Sequence, residues 1–478
     1  MDISHIINAE LGGIYGTAVL KDMQEIINLY NFYDGKGQDW RLPGNLDYKP
    51  TKLITNKAKK LIKKEARFMF SRTPEININP YDRKDEDSAK EISQLVNKVL
   101  KKNKFPDKLI KAARDCFIGK RVALKLNASD KSIKVMFRPS LEFVYETNPE
   151  DIDDLQKIIF FYTQNNDVDK SRQKIWKQKY EMLNGKCILN EGVYDGYGNL
   201  VEVTYQDYNT NLDFIPCYVI VNDGLTGDLN GESDVAEIGD NQDNYNKLKS
   251  DDVDALKFNM FPQLVIKNGS QKTHESMKVA PGAKIDLQSE DEELDSDAKY
   301  IESSFSYDSR FENTINRVNN DMHDVLSIPN VSLEQLKGLM QSGKSMKALY
   351  WELIERCEEK WTTWGPALEW MTEKIIELIK IYKPKNLGAI NISDIDYSIA
   401  IEHLYPILED EETERLNDIA EVQAQVRSRK SYIEKWNINE DADGELEQIA
   451  TEQTLLQDAY LKSSNEEINN LEDDINEE

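Results

Sequence analysis

The longest hydrophobic pattern in the chain begins just after Gly343. Met346, Tyr350, Leu353, Cys357, Trp361, Trp364, Leu368, Met371, Ile375, Leu378 and Tyr382 follow one another at steps of three and four. That spacing puts them on one stripe of an α-helix. Run continuously from Lys344 to Tyr382, the helix is about 58 Å long at a rise of about 1.5 Å per residue. Gly365-Pro366 lies inside it. Proline there removes a backbone hydrogen bond and crowds the preceding turn, which predicts a kink. A second stripe, Phe311, Ile315, Val318, Met322 and Val325, marks a helix within Phe305 to Leu326.

Elsewhere the pattern is mixed. Met1 to about Tyr48 reads as a polar, aromatic-rich arm. Helices are predicted for Thr51 to Phe70, Asp87 to Lys102 and Pro106 to Phe117. Val122, Leu124 and Leu126, then Ile133, Val135 and Phe137, alternate on either side of a turn at Ala128 to Lys131, which is the period of a β-hairpin. Further strands are predicted at Ile158–Tyr162, Lys179–Leu183, Leu200–Tyr205 and Cys217–Val221. Glu232 to Lys257 is helical but carries only a thin apolar stripe of Val235, Ile238, Tyr245, Leu248 and Ala255. So polar a helix gains little from packing inside one subunit and reads as a strut among identical neighbours. Phe258 to Ser304 is a small β-rich insertion, with strands at Gln263–Lys267, Ala283–Leu287 and Lys299–Glu302 around an acidic loop, Ser289 to Asp297. After Tyr382 come a strand at Tyr397–Glu402 and short helices at Glu411–Arg427, Ser431–Trp436 and Glu445–Leu461. Ser463 to Glu478 holds seven acids and no base, the composition of a disordered tail.

Charge and motifs narrow the chemistry. Lys plus Arg is 60 and Asp plus Glu is 87 over 478 residues, a net charge of -27. A protein that grips nucleic acid does so through basic patches, so that class is disfavoured. No apolar run reaches the length of a membrane span, and the N-terminus lacks a signal-peptide pattern. Cys116, Cys187, Cys217 and Cys357 fit neither a zinc pattern nor a disulfide framework and read as reduced core residues. His5, His274, His323 and His403 are equally scattered, so no metal or cofactor is expected.

Two motifs mislead. Gly338-Leu-Met-Gln-Ser-Gly343-Lys344-Ser345 spells a P-loop. A P-loop needs a buried strand before it, and Ile328 to Lys337 instead reads as a capped helical turn, with Ser332 and Gln335 at capping-box spacing. Asn439 to Gly444 resembles the start of a calcium loop, but its twelfth position would be Ala450 rather than a bidentate Glu.

Several short motifs occur in an order similar to that of the portal proteins of tailed bacteriophages, of the type found in siphoviruses of Gram-positive hosts. They are Tyr30 to Gly35, the helix Asn56–Phe70 followed by Thr73-Pro74-Glu75-Ile76, Gly119 at a helix-to-strand turn, Phe214-Ile215-Pro216, Gly231-Glu232-Ser233-Asp234, and Ser342-Gly343 at the start of the long helix. Where that family continues with x-Ala, this chain has Lys344-Ser345-Met346, which creates the P-loop match. The resemblance implies a multidomain α+β fold that assembles as a cyclic ring. Its parts would be a wing (1–230), a stem helix (231–257), a clip (258–304), a second stem helix (305–326), a tunnel loop (327–342), a long kinked helix returning to the wing (343–404), a crown (405–462) and an acidic tail (463–478). It implies no enzymatic activity.

The implied partners are copies of the chain itself (about twelve), the terminase large subunit, a head-to-tail adaptor, the major capsid and scaffolding proteins, and double-stranded DNA passing through the channel. No membrane is involved. Asn330, Gln335, Lys337 and Gln341 become the candidate DNA-facing residues, Ser342 and Gly343 the hinge, and Gly365 and Pro366 the kink. Two rival readings are a P-loop nucleotide-binding protein and a non-enzymatic coiled-coil scaffold. The hairpin and the helix–β–helix insertion weigh against the second, because a scaffold rod needs neither.

Overall fold

The structure, a computed structural model, describes residues 13–457 apart from 39, 41–47, 166, 168, 261–262, 277–286, 288, 290–294, 302–307, 332–342, 389–393, 408–410 and 437–440. The chain divides into two compact units, Met1–Val331 with Leu349–Pro406 and Ser332–Ala348 with Ile407–Glu478. No helix among the described residues is long and apolar enough to cross a membrane.

Within the predicted polar arm, the first described element is a helix. Helix α1 (Gly13–Tyr33) places Val19, Met23, Ile26 and Tyr30 on one stripe at steps of four, three and four. Met23 and Ile26 are buried with Val144, Ile159, Phe161 and Ile175, so α1 covers one face of a β-sheet. Helix α2 (Lys57–Phe70) starts later than its pattern predicts, because the Asn56 side chain accepts the Lys59 N–H and caps it there. Strand β1 (Glu75–Pro80) and helices α3 (Glu86–Lys102) and α4 (Phe105–Gly119) follow.

The predicted hairpin is formed by β2 (Arg121–Ala128) and β3 (Ile133–Pro139) in antiparallel register, with Leu124 opposite Phe137. Strand β9 (Cys217–Val221) pairs on the other side of β2, giving the order β3-β2-β9. A five-stranded antiparallel sheet runs β4 (Phe143–Thr147), β5 (Leu155–Asn165), β6 (Lys174–Leu183), β7 (Lys186–Tyr194) and β8 (Leu200–Asn209). The alternation in β2 predicts one buried face, yet Arg121, Ala123 and Lys125 are buried as well. The Lys125 ammonium sits 4.3 Å from the centroid of Phe160 and 5.4 Å from those of Trp176 and Tyr180. It also hydrogen-bonds the Gln178 side chain, so a lysine anchors the hairpin to the larger sheet. Burial pulls its pKa down to about 8.

Beyond β9 lie α5 (Asp234–Glu237) and α6 (Gly239–Met260), separated at Ile238 where one continuous helix was predicted. An antiparallel pair, β10 (Gln263–Lys267) and β11 (Asp297–Ile301), brackets a short helix α7 (Gln271–Ser276). Helix α8 (Asp308–Val325) packs back on α6. Helix–β–helix is therefore the observed order, although the Ala283–Leu287 strand and most of the acidic loop fall outside the described residues. The long helical region is split: α9 (Gly343–Leu349) ends at Tyr350, and α10 (Trp351–Tyr382) continues. Strand β12 (Tyr397–Glu402) then pairs antiparallel with β1.

The second unit contains α9 up to Ala348, α11 (Glu411–Gln423), α12 (Arg429–Trp436) and a helical stretch α13 over 442–457. Asp418 on α11 ties it together. It accepts from Arg427 at 2.6 Å, Lys435 at 2.7 Å and the Trp436 indole N–H at 2.8 Å. These partners hold its carboxyl below the usual range. Of the calcium-like turn at 439–444, Asp441 to Gly444 are described: Asp443 accepts from Lys430 at 2.7 Å, and the helical stretch begins at Ala442. Residues 439–440 and the acidic tail lie outside the described residues.

The polarity of α6 has an explanation within one subunit. Gln242, Asn246, Ser250 and Asp254 recur every fourth residue on one face, and all four are buried. Beside them lies the segment 51–56, which belongs to no helix or strand, and every second amide from Thr51 to Lys57, the first residue of α2, faces α6. The Thr51 N–H donates to Asp254 at 2.8 Å, the Leu53 N–H to Ser250 at 2.9 Å, the Thr55 N–H to Asn246 at 2.9 Å and the Lys57 N–H to Gln242 at 2.7 Å. A helix face thus does what a neighbouring β-strand would do, satisfying every second amide. The strut reading of α6 is corrected on this face, where the polar side chains are spent inside the subunit. Replacing Asn246 by Leu strips partners from the Thr55 N–H, the Gln242 amide and the Gln38 side chain. Each orphaned group costs roughly 1–3 kcal/mol. Asn246→Leu should therefore lower the denaturation midpoint clearly, and an unchanged midpoint in urea would count against the ladder.

Candidate functional site: the ion cluster beneath the long helix

The Gly-x-Ser-Asp motif forms a turn between β9 and α5. Gly231 has φ +71, and a Cβ there would lie 2.6 Å from the Lys120 carbonyl oxygen and 2.8 Å from that of Asn222. Only glycine fits such an approach of backbone to backbone. The Ser233 hydroxyl donates to the Ile118 carbonyl at 2.7 Å, satisfying a group at the end of α4. Asp234 follows, fully buried.

Four segments meet around Asp234, three of them bringing charge. From α10, Lys360 donates to its two oxygens at 2.9 and 2.8 Å, and Arg356 donates at 3.1 Å. The Asn222 amide, at the end of β9, donates at 3.0 Å. From α2, Glu65 accepts from Arg356 at 3.0 Å and lies 3.5 Å from Lys360. Glu237 of α5 accepts from Arg356 at 2.9 Å. The Lys360 ammonium also faces the Phe117 ring at 4.1 Å. Arg356 and Lys360 are one helical turn apart, so a single helix presents both cations to the same pocket.

Three carboxylates meet two cations, and the protonation follows from that imbalance. Burial would raise the pKa of Asp234, but Lys360 and Arg356 outweigh it and hold the group below its ordinary value. Glu65 moves the other way, to about 7, because burial and the neighbouring Asp234 charge outweigh Lys360 and Arg356. Among the described residues its buried Oε2 has no hydrogen-bond partner, and there a neutral carboxyl costs less than a carboxylate. Glu237 is raised too, chiefly by burial.

The heart of the cluster is closed to solvent, with Glu65 and Asp234 0% exposed and Lys360 5% exposed, while Arg356 is half-buried and Glu237 exposed at its rim. A cavity of about 450 Å³ bounded by Phe214, Tyr218 and Trp370 receives none of its charged side chains. Among the described residues no group of His, Cys, Asp and Glu is arranged to hold a metal ion. All four cysteines are buried and free, and burial raises their pKa, to about 11 for Cys187 and about 12 for Cys217. The cluster is built to join elements rather than to turn over a substrate.

The residues singled out from sequence are placed as follows. Asn330 is exposed and donates to the Asn320 side chain at 2.8 Å. Gln335, Lys337, Gln341 and Ser342 lie outside the described residues. Gly343 opens α9, and Ser327 to Val331, which lead toward the P-loop match, form no strand. Gly365 and Pro366 sit inside α10, which runs through them without interruption. The break instead falls at Tyr350, whose ring stacks on Phe68 at 5.4 Å, so the prediction of one continuous helix from Lys344 is corrected there. Glu65, Arg356 and Lys360 escaped the sequence reading. Their signal was two cations four residues apart, flanking Cys357 and Trp361 on an otherwise apolar stripe.

This is the build of a structural protein. The family model for phage portal proteins of the SPP1 Gp6-like type matches residues 17–457, and the chain belongs to that family. Comparison with curated proteins gives no match. Portal proteins are structural components of the phage capsid that work as oligomeric assemblies.

Two substitutions test the cluster. Asp234→Asn leaves Lys360 buried without its main counter-charge, and removing one member of a buried pair costs about 3–5 kcal/mol. The variant should lose that much stability in chemical denaturation, and a loss below about 1 kcal/mol would refute the central role of Asp234. Glu65 has the opposite linkage. Its folded pKa, about 7, lies above its ordinary value of 4.5, so across that window the folded chain keeps a proton that the unfolded chain has released. Stability therefore falls as pH rises from 4.5 to about 7. Glu65→Gln should flatten this dependence and match or exceed the parent at pH about 8.

Proposed function

We propose that the chain forms a closed ring of about twelve copies at one vertex of a tailed-phage capsid, the channel through which DNA is packaged and ejected. The observation that carries this reading is the family match across residues 17–457, supported by the helix–β–helix order of α6, β10-β11 and α8. In this reading α6 and α8 are the stem and the β10-β11 region is the clip. The clip docks the terminase large subunit during packaging and a head-to-tail adaptor afterwards, while the capsid and scaffolding proteins surround the ring. The segment at 327–342 reaches into the channel with Asn330, Gln335, Lys337 and Gln341 toward DNA. Ser342-Gly343 acts as its hinge, and Gly365-Pro366 kinks the helix behind it. The helices of 405–462 form a crown that responds to a filled head. The host is a Gram-positive bacterium, and the protein passes from host cytoplasm to virion.

The charge suits a conduit. Twelve copies at -27 each carry roughly -324 formal charges before screening. A mostly acidic wall repels phosphate and leaves DNA few places to stick. The deciding measurement is solution mass followed by imaging. At 55.2 kDa per subunit, twelve copies give roughly 660 kDa with a central hole. A monomer or dimer at all concentrations, with no ring, would sink the reading.

A further inference from the structure

The segment from Lys49 to Lys64 holds seven lysines and no acid, in a chain of net charge -27. Some of these charges are accounted for. Lys59 pairs with Asp34 at 2.9 Å, and Lys64 donates to the Pro329 carbonyl at 2.8 Å. Lys57 and Lys60 are not, nor is Lys249 across on α6. Among the described residues, none of these three has a carboxylate at ion-pair distance. Lys57 and Lys249 both lean on the Tyr245 ring, at 5.4 and 5.8 Å. Burial, and then repulsion from Lys60 and Lys249, pull the Lys57 pKa down. Crowded like charges with no counter-ion cost stability in the isolated subunit, and 87 acids elsewhere in the chain could have relieved them.

We propose that the Lys57, Lys60 and Lys249 face receives an acidic segment of a second copy of this chain. The inference rests on the ring reading above. A ring is built by heterologous contacts, in which one patch of a subunit meets a different patch of the next. The surface a subunit meets there belongs to a copy carrying 27 surplus negative charges, so a basic face finds its complement. Such complements exist on the chain. Glu352, Glu355 and Glu359 are exposed on α10 and, among the described residues, have no ion-pair partners; steps of three and four put them on one side of the helix.

The test is assembly of the full chain measured by sedimentation across protein concentration and salt. In the triple variant Lys57→Gln, Lys60→Gln, Lys249→Gln, rings should need at least about tenfold more protein to form, given that each lost pair weakens a contact by up to a few-fold. The thermal midpoint of its free subunits should be unchanged or higher. The matching triple Arg variant should assemble like the parent, whose rings should loosen as salt is raised. Parent and Gln variant forming rings at the same concentration would overturn the inference and leave the ring reading standing. A parent that forms no ring at all would overturn both. Lysine-dependent binding of a labelled DNA duplex, with assembly unaffected, would assign the face to nucleic acid instead and also overturn it.

Discussion

The contact between Lys360 and Asp234 is the constraint around which the first unit is organised. An ammonium and a carboxylate lie within 2.8 Å of each other, both shut away from water. Neither could be buried alone, because an unpaired interior charge costs several kcal/mol. Every element near them is therefore committed to completing the pair. Helix α10 must bring Lys360 and Arg356, the turn at Gly231 must aim Asp234, Asn222 must close the third side, and Glu65 must face inward from α2. A loose association of these elements by apolar contact alone would tolerate sliding. Charges that are stable only in one geometry do not.

The Gly-x-Ser-Asp motif thus has a reason for each fixed letter. Glycine admits a backbone crossing, serine closes the end of α4, and aspartate supplies the buried anion. None of these roles concerns DNA or a ligand. They join the region that carries the sheets to the helix that leads into α6.

Much of this was legible in the sequence and some was not, for identifiable reasons. Strands β9, β10 and β12 fall where the sequence predicts them, because each is a short run rich in apolar and β-branched residues. Strands β4 and β7 were missed; β7 contains Asn190, Glu191 and Gly192, which blur the alternation. Helix α1 was missed although 12 of its 21 residues are apolar, because residues such as Leu29 and Phe32 lie off the four-three-four stripe and blur its period. The ladder on α6 was visible as Gln242, Asn246, Ser250 and Asp254 at steps of four, but polarity on a helix ordinarily signals solvent. Only the segment lying against it, nearly 200 residues away in sequence, makes those side chains interior. Of the candidate loop residues only Asn330 is described, and it is exposed.

The same ladder behaves like a vernier. One turn of four residues advances a helix by about 6.0 Å, and two residues advance an extended chain by about 6.6 Å. The two scales drift apart by about 0.6 Å per rung, or about 1.8 Å from first to last across four rungs. That approaches the tolerance of a hydrogen bond, so such a ladder cannot grow much longer without bending. Parity matters as well. Losing one residue from 51–57 would turn every donating amide to the wrong side, while losing two would re-engage the scale one notch along. The join between an extended chain and a helix is in this way digital, with whole turns as its only allowed steps.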